Sequence, residues 1–130
     1  MGILLTRPAG KNDKIAIFFK EHNIITYECP LLKIYRCDRS LDDLHKQKSA
    51  SHLILTSQNA LAALVPENQQ AHFFVVGTQT AQALRKRGFN KIQCVAASAS
   101  ELWQKMCQEP FSGKTYYYLS GDRITFDFCR

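Results

Sequence analysis

Along the first half of the chain, apolar residues come in short clusters separated by polar turns. "ILLT" (Ile3–Thr6) is an apolar run that ends at "RPAG", a turn signal, and predicts a strand. "NDKIAIFFKEHN" then spaces Ile15, Phe18 and Phe19 at helical intervals, with Asn12 or Asp13 as the capping residue. "IITYECPLLKIYRC" is extended throughout and broken at Pro30. Proline gives no N–H to a ladder, so Pro30 marks a sheet edge or a crossing between two sheets. "SLDDLHKQK" predicts a short polar helix capped by Ser40.

From His52 the pattern becomes regular. "HLILT", "HFFVVG", "KIQCVA" and "KTYYYLSG" are nearly continuous apolar runs and predict strands. "SQNALAALV", "TQTAQALRKRG", "SASELWQKMCQ" and "DRITFDFCR" follow them in turn and predict helices. Apolar strands alternating with helices predict an α/β fold, a parallel sheet flanked by helices on both faces. Each strand-to-helix junction carries Ser, Thr or Gly: Thr56-Ser57, Gly77-Thr78, Ala97-Ser98 and Ser120-Gly121. In open parallel sheets ligands bind beyond the carboxyl ends of the strands, where these junctions lie. The first turn of a helix has unpaired N–H groups and a partial positive charge. The junctions together therefore form an edge of donors suited to carboxylates or phosphates, although each alone is an ordinary N-cap.

Composition narrows the classes. A chain of 130 residues, 45% hydrophobic and 22% charged, suits one folded domain with a real core. The net charge of +6 favours an anionic partner. Five cysteines without a C-x-x-C pair argue against a disulfide framework or thiolate zinc site and suit reduced thiols in a cytoplasmic protein. The four histidines lack H-x-x-x-H spacing, which predicts no metal site. No run approaches the length of a membrane span. Dinucleotide, P-loop and G-x-S-x-G motifs are all absent. In "YYY" (Tyr116–Tyr118) alternate rings face opposite ways, so the three predict sheet packing, not a platform for nucleic acid. Arg85–Gly88 reads as a helix C-terminus, and Trp103 with Leu102 and Met106 as an apolar helix face.

Four stretches, in order, resemble the uroporphyrinogen-III synthase family: "ILLTRPAGKN", "LILTSQNALAAL", "FFVVGTQTAQALRKRGF" and "YYYLSGDRI". The resemblance implies two similar α/β domains joined by a two-stranded connection. Residues 1–35 would be the strand-helix-strand segment of a split first domain, with the outgoing crossing. Residues 36–130 would be the second domain, incomplete at its C-terminus. The implied reaction closes linear hydroxymethylbilane and inverts its last pyrrole ring, through an azafulvene and a spiro intermediate, to give uroporphyrinogen III for haem biosynthesis. It uses no metal or organic cofactor. The implied partner is this polycarboxylate tetrapyrrole, with no nucleic acid and no membrane; the family is monomeric, and association of a shortened chain is an open alternative.

By the same resemblance Thr56, Ser57, Gly77, Thr80 and Gly121 border the interdomain cleft, and Thr6 and Arg7 approach it from the other domain. Their implied role is to bind substrate carboxylates; the catalytic residue is not identified. The family continues beyond the helix in which this sequence stops, which implies a truncated member or fragment. Two alternatives therefore stand beside the enzyme: a non-catalytic anion-binding α/β module, and an inert remnant.

Overall fold

The computed structural model describes residues 2–35, 37, 39–110, 113–121 and 126–128. The chain divides into two compact units, Met1–Cys37 and Asp38–Arg130. Both are α/β with parallel strands.

In the first unit, β1 (Gly2–Leu5) and β2 (Ile25–Glu28) pair in parallel around α1 (Asp13–Glu21). Asn12 occupies the N-cap position of α1, but its side chain does not cap. Its backbone is already helical (φ −101°, ψ −13°), which turns the amide away from the first turn, and Nδ2 donates instead to the Arg7 carbonyl at 3.3 Å. The helix ends at Asn23, which takes φ +56°; Ile24 N–H donates to Phe19 O and Asn23 N–H to Lys20 O, so the last carbonyls are satisfied. Beyond β2 the ladder continues as Cys29 N–H to Leu5 O and Leu31 N–H to Thr6 O. Pro30 lies between them, where a strand points its N–H away from the partner, so the missing donor costs β1 nothing.

In the second unit, β3 (His52–Leu55), β4 (His72–Val76), β5 (Ile92–Ala96) and β6 (Tyr116–Leu119) form one parallel sheet in the order β5-β4-β3-β6. All four residues of β3 are buried. Leu53, Leu55, Phe73 and Val75 face a cluster completed by Leu61, Ala81, Leu84 and Phe89. Ile54 and Phe74 face the opposite cluster, with Ala96, Leu102 and Met106. α3 (Thr78–Lys86) covers the first face and α4 (Ala99–Met106) the second. Tyr117 packs with the first cluster, Tyr116 and Tyr118 with the second, as strand alternation requires. α3 closes with Gly88 at φ +88°, Phe89 N–H on Leu84 O, and Phe89 packed in the same cluster as Leu84.

One predicted α-helix forms differently. "SQNALAALV" makes a 3-10 helix over Gln58–Ala63, and a second, unforeseen 3-10 helix runs over Pro66–Gln70. Pro66 cannot supply the N–H that would extend an α-ladder. The carbonyls are held from outside: Leu61 O by Arg87, and Ala63 O by Arg39 Nη2 at 2.8 Å and Gln47 Nε2 at 3.0 Å. Gln47, on α2 (Leu41–Ser49), is wholly buried and also donates to Asn68 Oδ1 at 2.8 Å. Asn68 Nδ2 returns a bond to Gln47 O. Most of the helix predicted over "DRITFDFCR" lies outside the described residues; Phe126–Phe128 carry a bend and a turn.

Candidate functional site

The strand order decides where a ligand edge lies. β4 and β5 follow β3 to one side, while β6 returns to the other. The order reverses between β3 and β6, and in such sheets the crevice opens at the carboxyl ends of the strands flanking the reversal. Thr56 follows β3 there. Its Oγ1 lies 3.1 Å from the Tyr118 hydroxyl on β6, and both residues are half-buried. Sequence reasoning did not single out Tyr118 for this edge. The alternation of "YYY" carried a usable signal, since it sets Tyr116 and Tyr118 on one face.

Ser57 is exposed and caps the first 3-10 helix, its Oγ accepting from Asn59 N–H at 3.2 Å. Gly121 is exposed, and a Cβ there would meet nothing within 4 Å. Gly77 is the turn from β4 into α3. It takes φ +88°, ψ 132°, a conformation only glycine adopts freely. Its N–H donates to Ala96 O at 2.8 Å, and its carbonyl accepts from Ala81 N–H at 3.2 Å. The first turn of α3 has no side-chain cap and no acidic residue. Its Thr78 and Gln79 are exposed. Thr80 is buried at 5%, with Oγ1 3.7 Å from where a Gly77 Cβ would stand. It therefore packs beneath the turn, not on its open side.

The donor edge is not continuous. At Ala97-Ser98, Ser98 Oγ accepts from Glu101 N–H at 3.2 Å, and Glu101 Oε2 accepts from Ala97 N–H at 2.8 Å. A carboxylate thus already fills this helix start. Its hydrogen bonds from Lys105, 2.6 Å away, and from Ala97 N–H hold it below the usual carboxylate range. The Ser-x-x-Glu spacing is a capping box readable in the sequence. The amides at the β5 end are therefore already occupied, unlike those at the start of α3.

Thr6 and Arg7, both exposed, follow β1 in the other unit. Thr6 O accepts from Leu31 N–H at 3.1 Å, and Arg7 O from Asn12 Nδ2. Among the described residues, no three of His, Cys, Asp and Glu come close enough to hold a metal. No described helix is long and apolar enough to cross a membrane.

Among the described residues, this edge offers the hydroxyls of Thr56 and Tyr118 and the uncapped first-turn amides of α3. Hydroxyls and helix-start amides are donors suited to an anion. The family model described as "Uroporphyrinogen-III synthase HemD" matches residues 13–128. No curated protein matches the chain.

Proposed function

The chain belongs to the uroporphyrinogen-III synthase family, and on that premise we propose that it binds hydroxymethylbilane and directs its closure to uroporphyrinogen III. On this reading residues 1–35 belong to a split first domain and 36–130 to the second. The open start of α3 at Gly77 and the Thr56–Tyr118 pair at the strand reversal receive acetate and propionate groups. Ser57 and Gly121 border the same edge. Thr80 supports the turn from beneath. Thr6 and Arg7, exposed after β1, bind carboxylates as well.

The observation that carries this reading is the contrast between two helix starts. α4 is closed by Glu101, whereas α3, which follows the neighbouring strand β4, has first-turn amides with no side-chain cap. Amides at a helix start favour a carboxylate through both hydrogen bonds and the helix dipole. The proposed chemistry follows from holding the substrate. Once its hydroxyl has left, the azafulvene is electrophilic, and the product isomer depends on which pyrrole carbon meets it. Orientation of the bilane by its carboxylates selects that carbon.

The test is an isomer assay. The purified chain is incubated with freshly made hydroxymethylbilane, the products are oxidised, and uroporphyrins III and I are separated. Excess isomer III supports the enzyme reading. Isomer I alone from a folded chain refutes catalysis by these 130 residues. A second reading, binding without turnover, rests on the hydroxyls and uncapped amides at the strand ends, which are donors to an anion. Titration with uroporphyrin, followed by fluorescence, separates it from an inert chain.

A further inference from the structure

Among the described residues, Asn12 Oδ1 is the buried side-chain polar atom without a hydrogen-bond partner. Asn12 is 1% exposed, although it stands in a polar loop between β1 and α1. Burying an amide oxygen unpaired costs stability, and the usual reason for an asparagine at this position is to cap the helix. Asn12 gives no cap, since its backbone is already helical. Its side chain instead donates from Nδ2 to the Arg7 carbonyl. An apolar residue would fill the place without stranding an oxygen, but it could not hold that carbonyl.

That bond completes the fixing of a loop. Three successive carbonyls are held: Thr6 O by Leu31 N–H at 3.1 Å, Arg7 O by Asn12 Nδ2 at 3.3 Å, and Pro8 O by Lys11 N–H at 3.0 Å. Gly10, at φ +74°, lies within the turn. Pro8 also restricts Arg7 to an extended backbone. The direction in which Arg7 leaves the main chain is thereby set, while its side chain stays exposed. The bonds at Thr6 and Pro8 join backbone groups, which any residue supplies; the bond at Arg7 needs the amide of Asn12. We propose that Asn12 is a positioning residue: it holds the Arg7 backbone so that the guanidinium meets a tetrapyrrole carboxylate from a fixed base. A long side chain on a preset backbone has less freedom to lose on binding. The inference rests on the reading that Arg7 binds carboxylate, and adds to it a residue that touches no ligand.

Fluorescence titration with uroporphyrin tests it, on the unsubstituted chain, Arg7→Ala, Asn12→Ala and the double variant. The expected loss of affinity is about tenfold for Arg7→Ala and about three- to tenfold for Asn12→Ala. The double variant is expected to match Arg7→Ala within about twofold, because Asn12 acts only through Arg7. Additive losses would overturn the proposal and leave the binding reading intact. So would full affinity in a folded Asn12→Ala where Arg7→Ala binds weakly. Full affinity in Arg7→Ala would overturn it together with the place of Arg7 in the site, and no binding by the unsubstituted chain would overturn the whole reading. Should Asn12→Ala fail to fold, Asn12→Asp, which keeps the volume and loses the donor at neutral pH, takes its place. If neither folds, Asn12 serves stability and the proposal falls.

Discussion

The hydroxyls of Thr56 and Tyr118, 62 positions apart in sequence, stand 3.1 Å from each other at the carboxyl ends of the two strands between which the order reverses. Thr56→Val removes one partner and leaves the other hydroxyl half-buried. If this pair receives a substrate carboxylate, Thr56→Val and Tyr118→Phe each weaken uroporphyrin binding by about tenfold, the equivalent of one good hydrogen bond. Equal binding by both variants in a fluorescence titration would remove the pair from the site.

Gly77 and Gly88 share a φ of +88° but not a neighbourhood. Gly77→Ala and Gly88→Ala each cost about 1–3 kcal/mol in urea denaturation, because an alanine must hold a positive φ. A Cβ at Gly77 would meet only Thr80 Oγ1, at an ordinary 3.7 Å, and one at Gly88 would meet nothing. The penalty is therefore conformational, not steric. Only Gly77→Ala is expected to lower uroporphyrin affinity as well.

Ser98→Ala removes the cap of α4 and lowers stability by about 1 kcal/mol. It leaves ligand affinity unchanged, since Glu101 already occupies that helix start. Loss of binding in this variant, with the fold intact, would show that the edge extends to β5 after all.

Asn68→Ala leaves Gln47 Nε2 without one acceptor and Val65 N–H without its own. Both Gln47 and Asn68 are 1% exposed or less. The expected loss is about 2–3 kcal/mol by urea denaturation, the cost of stranding buried polar groups. A loss under about 0.5 kcal/mol would mean that water enters and replaces the amide.

His52 gives the chain a pH dependence. Its ring lies 4.7 Å from that of Tyr116 and 5.3 Å from that of His72, and Ser51 Oγ sits 2.7 Å from its Nδ1. Burial above all, then His72 and Lys114, hold its imidazole below the ordinary value, against Glu109. A base with a lowered folded pKa binds fewer protons folded than unfolded, so stability rises with pH across the window between the two values. The contribution is complete above the ordinary imidazole range and falls as pH drops through the unfolded value towards the folded one. His52→Phe, which keeps the stacking, flattens the stability profile between about pH 7 and 5, above where carboxylates titrate. An unchanged slope in that variant would assign it elsewhere.

The strands were legible because a sheet covered on both faces needs uninterrupted apolar residues, and "HLIL" and "HFFVV" supply them. The Gln58–Ala63 segment was not, because its apolar spacing fits either an α-helix or a 3-10 helix. What decides between them is Arg39, Gln47 and Arg87 reaching in from distant positions, which no local pattern displays. Asn12 looked like a cap by residue type but lacks the extended backbone a cap needs. The closed start of α4 was readable in Ser98 and Glu101. The Thr56–Tyr118 contact required the strand order, which a sequence of alternating elements leaves open.

The order β5-β4-β3-β6 also has a consequence in time. β3 is buried on both faces and flanked on both sides, yet one flank is β6, the last of these four strands to emerge during synthesis. Ser51 and Thr115, which bond across the start of that pairing, are 64 positions apart. Until residues 116–119 arrive, the most fully buried strand of the sheet is an open edge, a template for wrong pairing. The closing of that long loop is therefore the slow step of folding, and the nascent chain is most prone to aggregate just before β6 leaves the ribosome.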